Sequence, residues 1–360
     1  MENQVEEIKK KLDIVEVINK YVPLKKRGRH YVACCPFHQE KTPSFVVSTE
    51  LQIYKCFGCG KAGDVFSFVQ EYNRIDFREA LEDLAKMAGV KLIQSVKMTQ
   101  EESKKKILYE INREAAKFYH YILTKHSLGK EALEYLHNRE LKEDTIKKFM
   151  IGFSPKDSRL VVNYLLKKGY KIEEMVATGS FGVSQYNRKQ IYDRFQDRVI
   201  FPQIDFRERI VGFSGRILPT ATNKNLAKYI NSPETDVYHK SQMLFGLNLA
   251  KEAVKKENWA LVVEGELDMI SPYQIGMENV VAIKGTALTE DQLHLMSRYT
   301  DTIILGLDSD FAGNKASIRS IELAEKMGFE IKVLDLEGKY KDPDEAIKNN
   351  PDFFNISIFL

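Results

Sequence analysis

No stretch of this 360-residue chain approaches the ~20 consecutive apolar residues that a membrane-spanning helix needs, so no spanning segment is expected. The start, Met1-Glu2-Asn3-Gln4-Val5-Glu6-Glu7, lacks the apolar core of a signal peptide. Together these absences predict a soluble, cytoplasmic protein. No Gly-x4-Gly-Lys-Ser/Thr occurs, which removes a P-loop nucleotide site and with it a fused helicase motor. Cysteine is scarce, and Cys34, Cys35, Cys56 and Cys59 all fall within 26 residues. Disulfides are not expected in a cytosolic chain, so clustered thiols favour a metal. Net charge is small as well, at +3, but it is unevenly spread. Residues 257–360 hold 9 Lys/Arg against 19 Asp/Glu, while residues 1–256 hold 45 against 32. An acidic region gathers metal ions and a basic remainder suits a polyanion.

What is present begins with the thiols. Cys35-Pro36-Phe37-His38 is followed by seventeen residues and then Cys56-Phe57-Gly58-Cys59. Two-residue gaps fold knuckles whose side chains point at one ion, which is the spacing tetrahedral Zn²⁺ requires. Four protein ligands leave no open position, so the site is expected to be structural. Cys34-x3-His38 is an alternative pair that spacing alone leaves open. Between the pairs, Phe45, Val47, Ile53, Tyr54 and Phe57 lie among Lys41, Lys55 and Lys61. Such a mixture on a small sheet can stack on and track single-stranded DNA, although about half of these aromatic and aliphatic residues are expected in a mini-core.

A second concentration of chemistry lies near the other end. Leu261-Val262-Val263 runs into Glu264-Gly265-Glu266-Leu267-Asp268, and Thr302 to Leu307 runs into Asp308-Ser309-Asp310. Ile331 to Leu334 leads towards Asp342-Pro343-Asp344. Short apolar runs alternating with helical patterns predict parallel strands, whose carboxyl ends form the ligand crevice. A single acid there reads equally as a helix N-cap. Acid pairs at three strand ends repel one another unless cations bind, and oxygen-only ligands suit paired Mg²⁺ and displacement at phosphorus.

Elsewhere, Val5, Ile8, Leu12 and Val15 predict one amphipathic helix stopped by Pro23, followed by the basic run Lys25 to His30. Asp64 is expected to cap a helix over 65–69, and Asp76-x-x-Glu79 to open another that ends near Gly89. Residues 94–106 are polar and charge-rich, and read as a linker. Helical period returns from Ile107 to Leu123, and short helices follow to about Val176. Arg194 to Pro202 and Arg209 to Arg216 read as strands joined at Asp205 to Glu208. Arg194, Arg198 and Arg216, at strand ends or edges, are candidates to reach phosphates. Lys228 to Thr235, with Lys240 beyond, is an irregular loop of cations, an aromatic and hydroxyls, suited to nucleotide contacts.

The Glu264-Gly-x-x-Asp268 and Asp308-x-Asp310-x-x-Gly313 pattern resembles the TOPRIM domain shared by primases, topoisomerases and some nucleases. With the Cys35 to Phe45 and Cys56 to Cys59 blocks, the Arg194 to Arg216 hairpin, the Lys228 block and Lys284-Gly285-Thr286-Ala287-Leu288-Thr289, the chain is similar to bacterial replicative DNA primases of the DnaG type. The resemblance implies an α+β multidomain fold. A small zinc-ribbon domain with helices (1–95) and a linker (96–106) would precede a mixed α/β N-terminal core subdomain (107–256) and a doubly wound α/β TOPRIM domain (257–350). It implies RNA primer synthesis from ribonucleoside triphosphates on a single-stranded DNA template. Cys35, His38, Cys56 and Cys59 would hold zinc, leaving Cys34 aside. Glu264, Asp308 and Asp310 would anchor Mg²⁺ or Mn²⁺, supported by Asp268, Asp342 and Asp344. Arg194, Arg198, Arg216, Lys228, Lys240 and Lys284 would hold template or nucleotide. Two departures stand out. Glu266 replaces a usual aromatic, and the chain ends at Leu360, before the helices that complete the core and the helicase-docking domain found in the family. The competing expectation is a non-catalytic zinc/TOPRIM DNA-binding protein of the recombination-mediator kind. A topoisomerase is disfavoured because the chain is short for a strand gate.

Overall fold

The computed structural model describes residues 2–38, 40–92, 99–184, 191–220, 226–285, 287–307, 315–334, 336 and 339–350. They form two units, Met1–Met98 and Thr99–Leu360.

The first unit is built around an antiparallel sheet in the order β1 (Lys25–Arg27), β2 (His30–Ala33), β3 (Phe45–Ser48), β4 (Ile53–Cys56), β5 (Ala62–Gly63). One face of this sheet is dry. Phe45, Val47 and Tyr54 are fully buried, and Phe68, from the helix Val65–Asn73, meets both Phe45 and Tyr54 edge-on or tilted. Asp64 caps that helix by accepting from the Ser67 N–H, and Asp76 with Glu79 forms the expected capping box of Phe77–Ala88. Gly89 ends the latter at φ 64°, a left-handed conformation that glycine adopts at no steric cost. The single N-terminal helix expected from the periodicity is instead two, Glu2–Lys11 and Ile14–Asn19. The cause is Asp13, whose carboxylate accepts from the N–H groups of Val15 and Glu16 and so starts a new helix.

In the second unit the expected linker is largely helix. Residues 93–98 lie outside the described residues, but Gln100–Lys125 is one helix opened by a Thr99/Glu102 capping box. The box supplies the same start signal as Asp76/Glu79, and it overrides the polar composition of residues 100–106. One face of this helix, including Leu108, Ile111, Ala115 and Tyr119, is buried.

Strands β6 (Gly152–Ser154), β7 (Phe181–Val183), β8 (Ile191–Asp193), β9 (Arg198–Ile204), β10 (Ile210–Ile217) and β11 (Tyr229–Asn231) follow. β9 and β10 form the expected hairpin, and one sheet runs β11-β10-β9-β6, antiparallel throughout. Asp205 closes the turn by accepting from the N–H groups of Arg207 and Arg209. Arg194 to Asp197, expected as strand, is a turn, and Asp197 takes φ 61° there.

The last sheet is parallel, in the order β13 (Val280–Ala282), β12 (Ala260–Val263), β14 (Thr302–Leu305), β15 (Glu330–Val333). β12 and β13 are entirely buried, as expected for strands covered on both faces. Val199 and Phe201 of β9 share a core with Leu261 and Val263 of β12, so the two sheets pack as one body.

Candidate functional site

The zinc ligands expected from spacing come together. Cys35, His38, Cys56 and Cys59 offer ligand atoms that all lie within 4.8 Å of one another. The Cys35 and Cys59 sulfurs are 3.8 Å apart, and Cys56 Sγ lies 3.7 Å from His38 Nδ1. Sulfurs about 2.3 Å from a tetrahedral zinc stand about 3.8 Å apart, so this donor set fits the metal. Cys34 is exposed and outside the group.

The surroundings act differently on the two buried thiols: burial raises Cys35 despite the Phe37 N–H, whereas Cys56 is held down. Phe37 N–H points at Cys35 Sγ at 3.4 Å, and the N–H groups of Gly58 and Cys59 point at Cys56 Sγ at 3.3 Å each. Burial works against charge on Cys56, but those N–H groups and the Ser44 hydroxyl outweigh it and hold the thiol down at about 6. Two residues that spacing did not single out complete the site. Glu40 lies 3.3 Å from His38 Nε2 and accepts from the Cys35 N–H at 2.7 Å and the Ser44 N–H at 3.0 Å. It thereby aims Nδ1 at the metal position, an outer-shell arrangement that fixes a ligating imidazole. Gly58 lies under the same ring, and a Cβ there would stand 2.6 Å from His38 Nε2.

The opposite face of this sheet carries Lys25, Arg27, His30, Ile53 and Lys55, all exposed, and Phe57, 70% exposed, lies beyond the end of β4. The Lys55 ammonium sits 5.3 Å from the Phe57 ring. Of the five apolar residues noted from sequence, three are core and Ile53 and Phe57 face out.

In the second unit Glu264 follows β12 at the carboxyl edge of the parallel sheet, half-buried. Asp268, one turn into the helix Glu266–Gln274, accepts from the Gly265 N–H at 3.0 Å. Hard oxygen donors at that edge suit a divalent cation. Asp308 and Asp310 lie outside the described residues, as does Thr286 of the Lys284 block.

Cations gather beside these acids. Arg216 donates to the Tyr229 hydroxyl at 2.6 Å and stacks 5.2 Å from the Tyr229 ring and 5.7 Å from the Tyr135 ring. Burial pushes Lys228 down, and the nearby cations Arg216, Lys341 and Arg139 push the same way. Burial raises the Tyr229 phenol and Asp268 adds to this, against the Arg216 cation, so one acid and one cation act together on Tyr229. Arg139 and Lys341 join them without belonging to any of the sequence motifs. Arg139 ends a helix far away in sequence and carries no local signal, whereas Lys341 adjoins the Asp342 acids and could have been flagged.

Four expected residues have other tasks. Arg198 is buried at 4% exposure, and its guanidinium donates to the carbonyls of Gly215, Ala227 and Lys228 at 2.9 to 3.3 Å. Buried between β9, β10 and the Lys228 segment, it shapes that segment through Nη1. Asp344 is clamped by Arg139 and Lys348, at 2.6 Å each, and by the Ser271 hydroxyl. Burial opposes its charge, but Lys348, Ser271 and Arg139 prevail and keep the carboxyl below its usual range. Asp342 caps the helix Pro343–Asn349 through the Glu345 N–H. Lys284 is buried against Glu266 and Ser214, so its ammonium faces protein and not ligand. Arg194 is exposed at the start of its turn. Lys240 is exposed, and its backbone N–H is held by Glu234 at 2.8 Å.

Three family models match in chain order: the CHC2 zinc finger over residues 1–101, the DNA primase catalytic core, N-terminal domain over 118–251, and the Toprim-like model over 261–347. The DNA primase of Clostridium acetobutylicum is 38% identical over 353 residues, 97% of this chain and 57% of the relative. The chain thus spans about 57% of the length of the curated relatives it matches. The crystal structure of the Aquifex aeolicus primase, comprising zinc binding and RNA polymerase domains, is similar at a TM-score of 0.63 and 36% identity, covering 98% of this chain and 85% of that one. A DnaG primase catalytic domain bound to ssDNA is similar at 0.62 and 32% identity, covering 71% of this chain and 79% of that one. Among the described residues no helix is long and apolar enough to cross a membrane.

Proposed function

The chain belongs to the bacterial DnaG-type DNA primases, and on that premise we propose that it synthesises short RNA primers from ribonucleoside triphosphates on single-stranded DNA. The observation that carries the reading is that Asp268, at the acidic edge of the parallel sheet, and the Arg216 cation both act on Tyr229, with Lys228 close to Arg216. A polymerase needs both at one place, since acids recruit divalent ions and cations hold phosphates.

Glu264, Asp268, Asp308 and Asp310 would hold the divalent ions, Mg²⁺ or Mn²⁺. Ions bound there supply Lewis-acid polarisation of phosphoryl oxygens and neutralise charge during in-line displacement at phosphorus. The 3′-hydroxyl of one nucleotide attacks the α-phosphorus of the next, Glu264 accepts its proton, and the bond to the departing pyrophosphate breaks. Arg216 and Lys228, joined by Lys341, offset the charge of the triphosphate or template. Arg194 and Lys240, both exposed, extend that basic surface outwards. Cys35, His38, Cys56 and Cys59 hold zinc as a cross-link that keeps the first sheet folded. That sheet's Lys25, Arg27, Lys55 and Phe57 engage the template by charge and stacking. The setting is replication in the cytoplasm, where the replicative helicase is the family's partner. No residue described here is assigned to helicase docking.

The test is incorporation of labelled ribonucleotides on single-stranded DNA with Mg²⁺ or Mn²⁺, comparing the chain with Asp308→Ala and Glu264→Gln. Short RNA from the parent, and a loss of at least about 100-fold in either variant, is the expected result. Equal synthesis by parent and variants overturns the assignment of the acids. Zinc-dependent DNA binding with no synthesis under any condition points instead to the scaffold reading.

A further inference from the structure

Two ionisable side chains that this reading leaves without a task face each other inside the second unit, where burial, with Lys240 adding to it, pushes the Lys284 ammonium well below its usual range. Glu266 is 1% exposed and Lys284 9%, and the Lys284 ammonium meets the Glu266 carboxylate. The ammonium also donates to Ser214 Oγ on β10 at 3.0 Å and lies 5.8 Å from the Tyr229 ring. Along the backbone, the Lys284 N–H donates to the Glu264 carbonyl at 3.0 Å. Lys284 adopts φ 59°, a left-handed conformation that a side-chain-bearing residue keeps only when its surroundings impose it. Glu266 opens the helix Glu266–Gln274, whose N-terminal dipole favours a negative charge.

Stability alone does not account for the pair. Well-packed apolar residues of similar volume commonly serve as well as a buried ion pair or better. Its location is more informative. The pair brackets Glu264, with Lys284 bonded to the Glu264 backbone and Glu266 two residues further on. Through Ser214 and Tyr229 it reaches the antiparallel sheet and the cation cluster.

We propose that Glu266 and Lys284 are positioning residues for Glu264, locking the loop after β12 against β10 and Tyr229 so that the Glu264 carboxylate holds one place at the sheet edge. The proposal rests on the reading of Glu264 as a metal-bearing acid. The replacement of an aromatic by Glu266 is then not a loss of function, because the acid is matched by Lys284 across the loop.

The experiment uses the zinc-loaded full chain and four variants: Glu266→Gln, Lys284→Met, both together, and Glu264→Gln. Thermal unfolding is followed without added divalent ion, and Mn²⁺ binding is followed by electron paramagnetic resonance without nucleotide. Each single change in the pair strands a buried ionisable group without its partner and should lower Tm by about 10 °C. The double change should recover most of that loss. It should nevertheless bind Mn²⁺ at least about tenfold more weakly than the parent, the usual effect of losing an outer-shell support. Glu264→Gln should weaken Mn²⁺ as well, with little change in Tm. Parental Mn²⁺ affinity in the double variant, with Glu264→Gln weakened, overturns the positioning role and leaves the metal reading standing. Parental affinity in Glu264→Gln overturns both. A double variant that fails to fold also overturns the proposal, because a pair retained for positioning is replaceable by Gln and Met in the fold.

Discussion

Replacing Gly58 by alanine tests the zinc unit at its tightest point. The added Cβ would stand 2.6 Å from His38 Nε2, 2.8 Å from Cε1 and 3.0 Å from Ser44 Oγ. Ordinary contacts begin near 3.4 Å, so the imidazole must retreat by about 0.8 Å, whereas metal–ligand distances tolerate only about 0.2 Å. The ring cannot simply slide, because Glu40 holds Nε2 from one side and the buried Cys56 holds the other. Disturbing an outer-shell partner costs 10- to 100-fold in metal affinity, and displacing a ligand should cost at least the upper figure, about 3 kcal/mol. The assay is chelator competition for zinc on the parent, Gly58→Ala and Gly28→Ala. Gly28 has φ 64° and open space around it, so its substitution should cost about 1 kcal/mol of stability without touching the metal. Parental zinc affinity in Gly58→Ala, or equal losses in both variants, would refute the reasoning.

Further outcomes follow from the same geometry. Asp193, fully buried under Tyr119 and Ser154, is pushed up to about 6 by burial. Its folded value exceeds the unfolded one of about 3.9, so ionisation costs stability and the chain should gain up to about 3 kcal/mol as pH falls from 7 to 4. Urea unfolding of parent and Asp193→Asn over that range checks this, and a constant difference between the two would refute it. Glu114 goes the other way. Burial opposes its charge, but Lys117, Lys168 and Tyr164 prevail and hold it at about 2. Its contribution is therefore present above about pH 4.5 and lost towards 2. Its lysines are half-exposed and screened, so Glu114→Gln should remove no more than about 2 kcal/mol at pH 7 and nothing at pH 2. Phe57→Ala should weaken single-stranded DNA binding by about 5- to 100-fold, measured by anisotropy, with Tm unchanged. A fall in Tm would make Phe57 part of the core.

What could be read from the chain follows the reach of each signal. The zinc ligands are two tight pairs that spacing brings forward, but Cys34 competes with Cys35 on spacing, and the family resemblance is what sets it aside. The Asp76/Glu79 box, the Asp205 turn and the strands β12, β14 and β15 are likewise local patterns. β6 and β13 escaped notice because three residues are too few to show a period. The start of the helix at Gln100 was hidden by composition, although Thr99 and Glu102 carried its cap. The roles of Arg198, Asp344 and Lys284 were out of reach for a different reason. Each depends on a partner brought close only by tertiary folding, such as Arg139 against Asp344 or Ser214 against Lys284. A charged residue in a motif announces its chemistry but not whether that chemistry is directed at protein or ligand.

Arg198 shows why this matters for genetics. Its guanidinium is an internal scaffold for the peptide that carries Lys228. An alanine scan of the basic residues would group it with Arg216, since both substitutions would erase activity. The two phenotypes have different origins, one a misshapen loop and the other a missing contact. They separate only in a second-site screen: a compensating change in the loop can rescue Arg198→Ala, and no remodelling of the loop replaces the lost charge of Arg216.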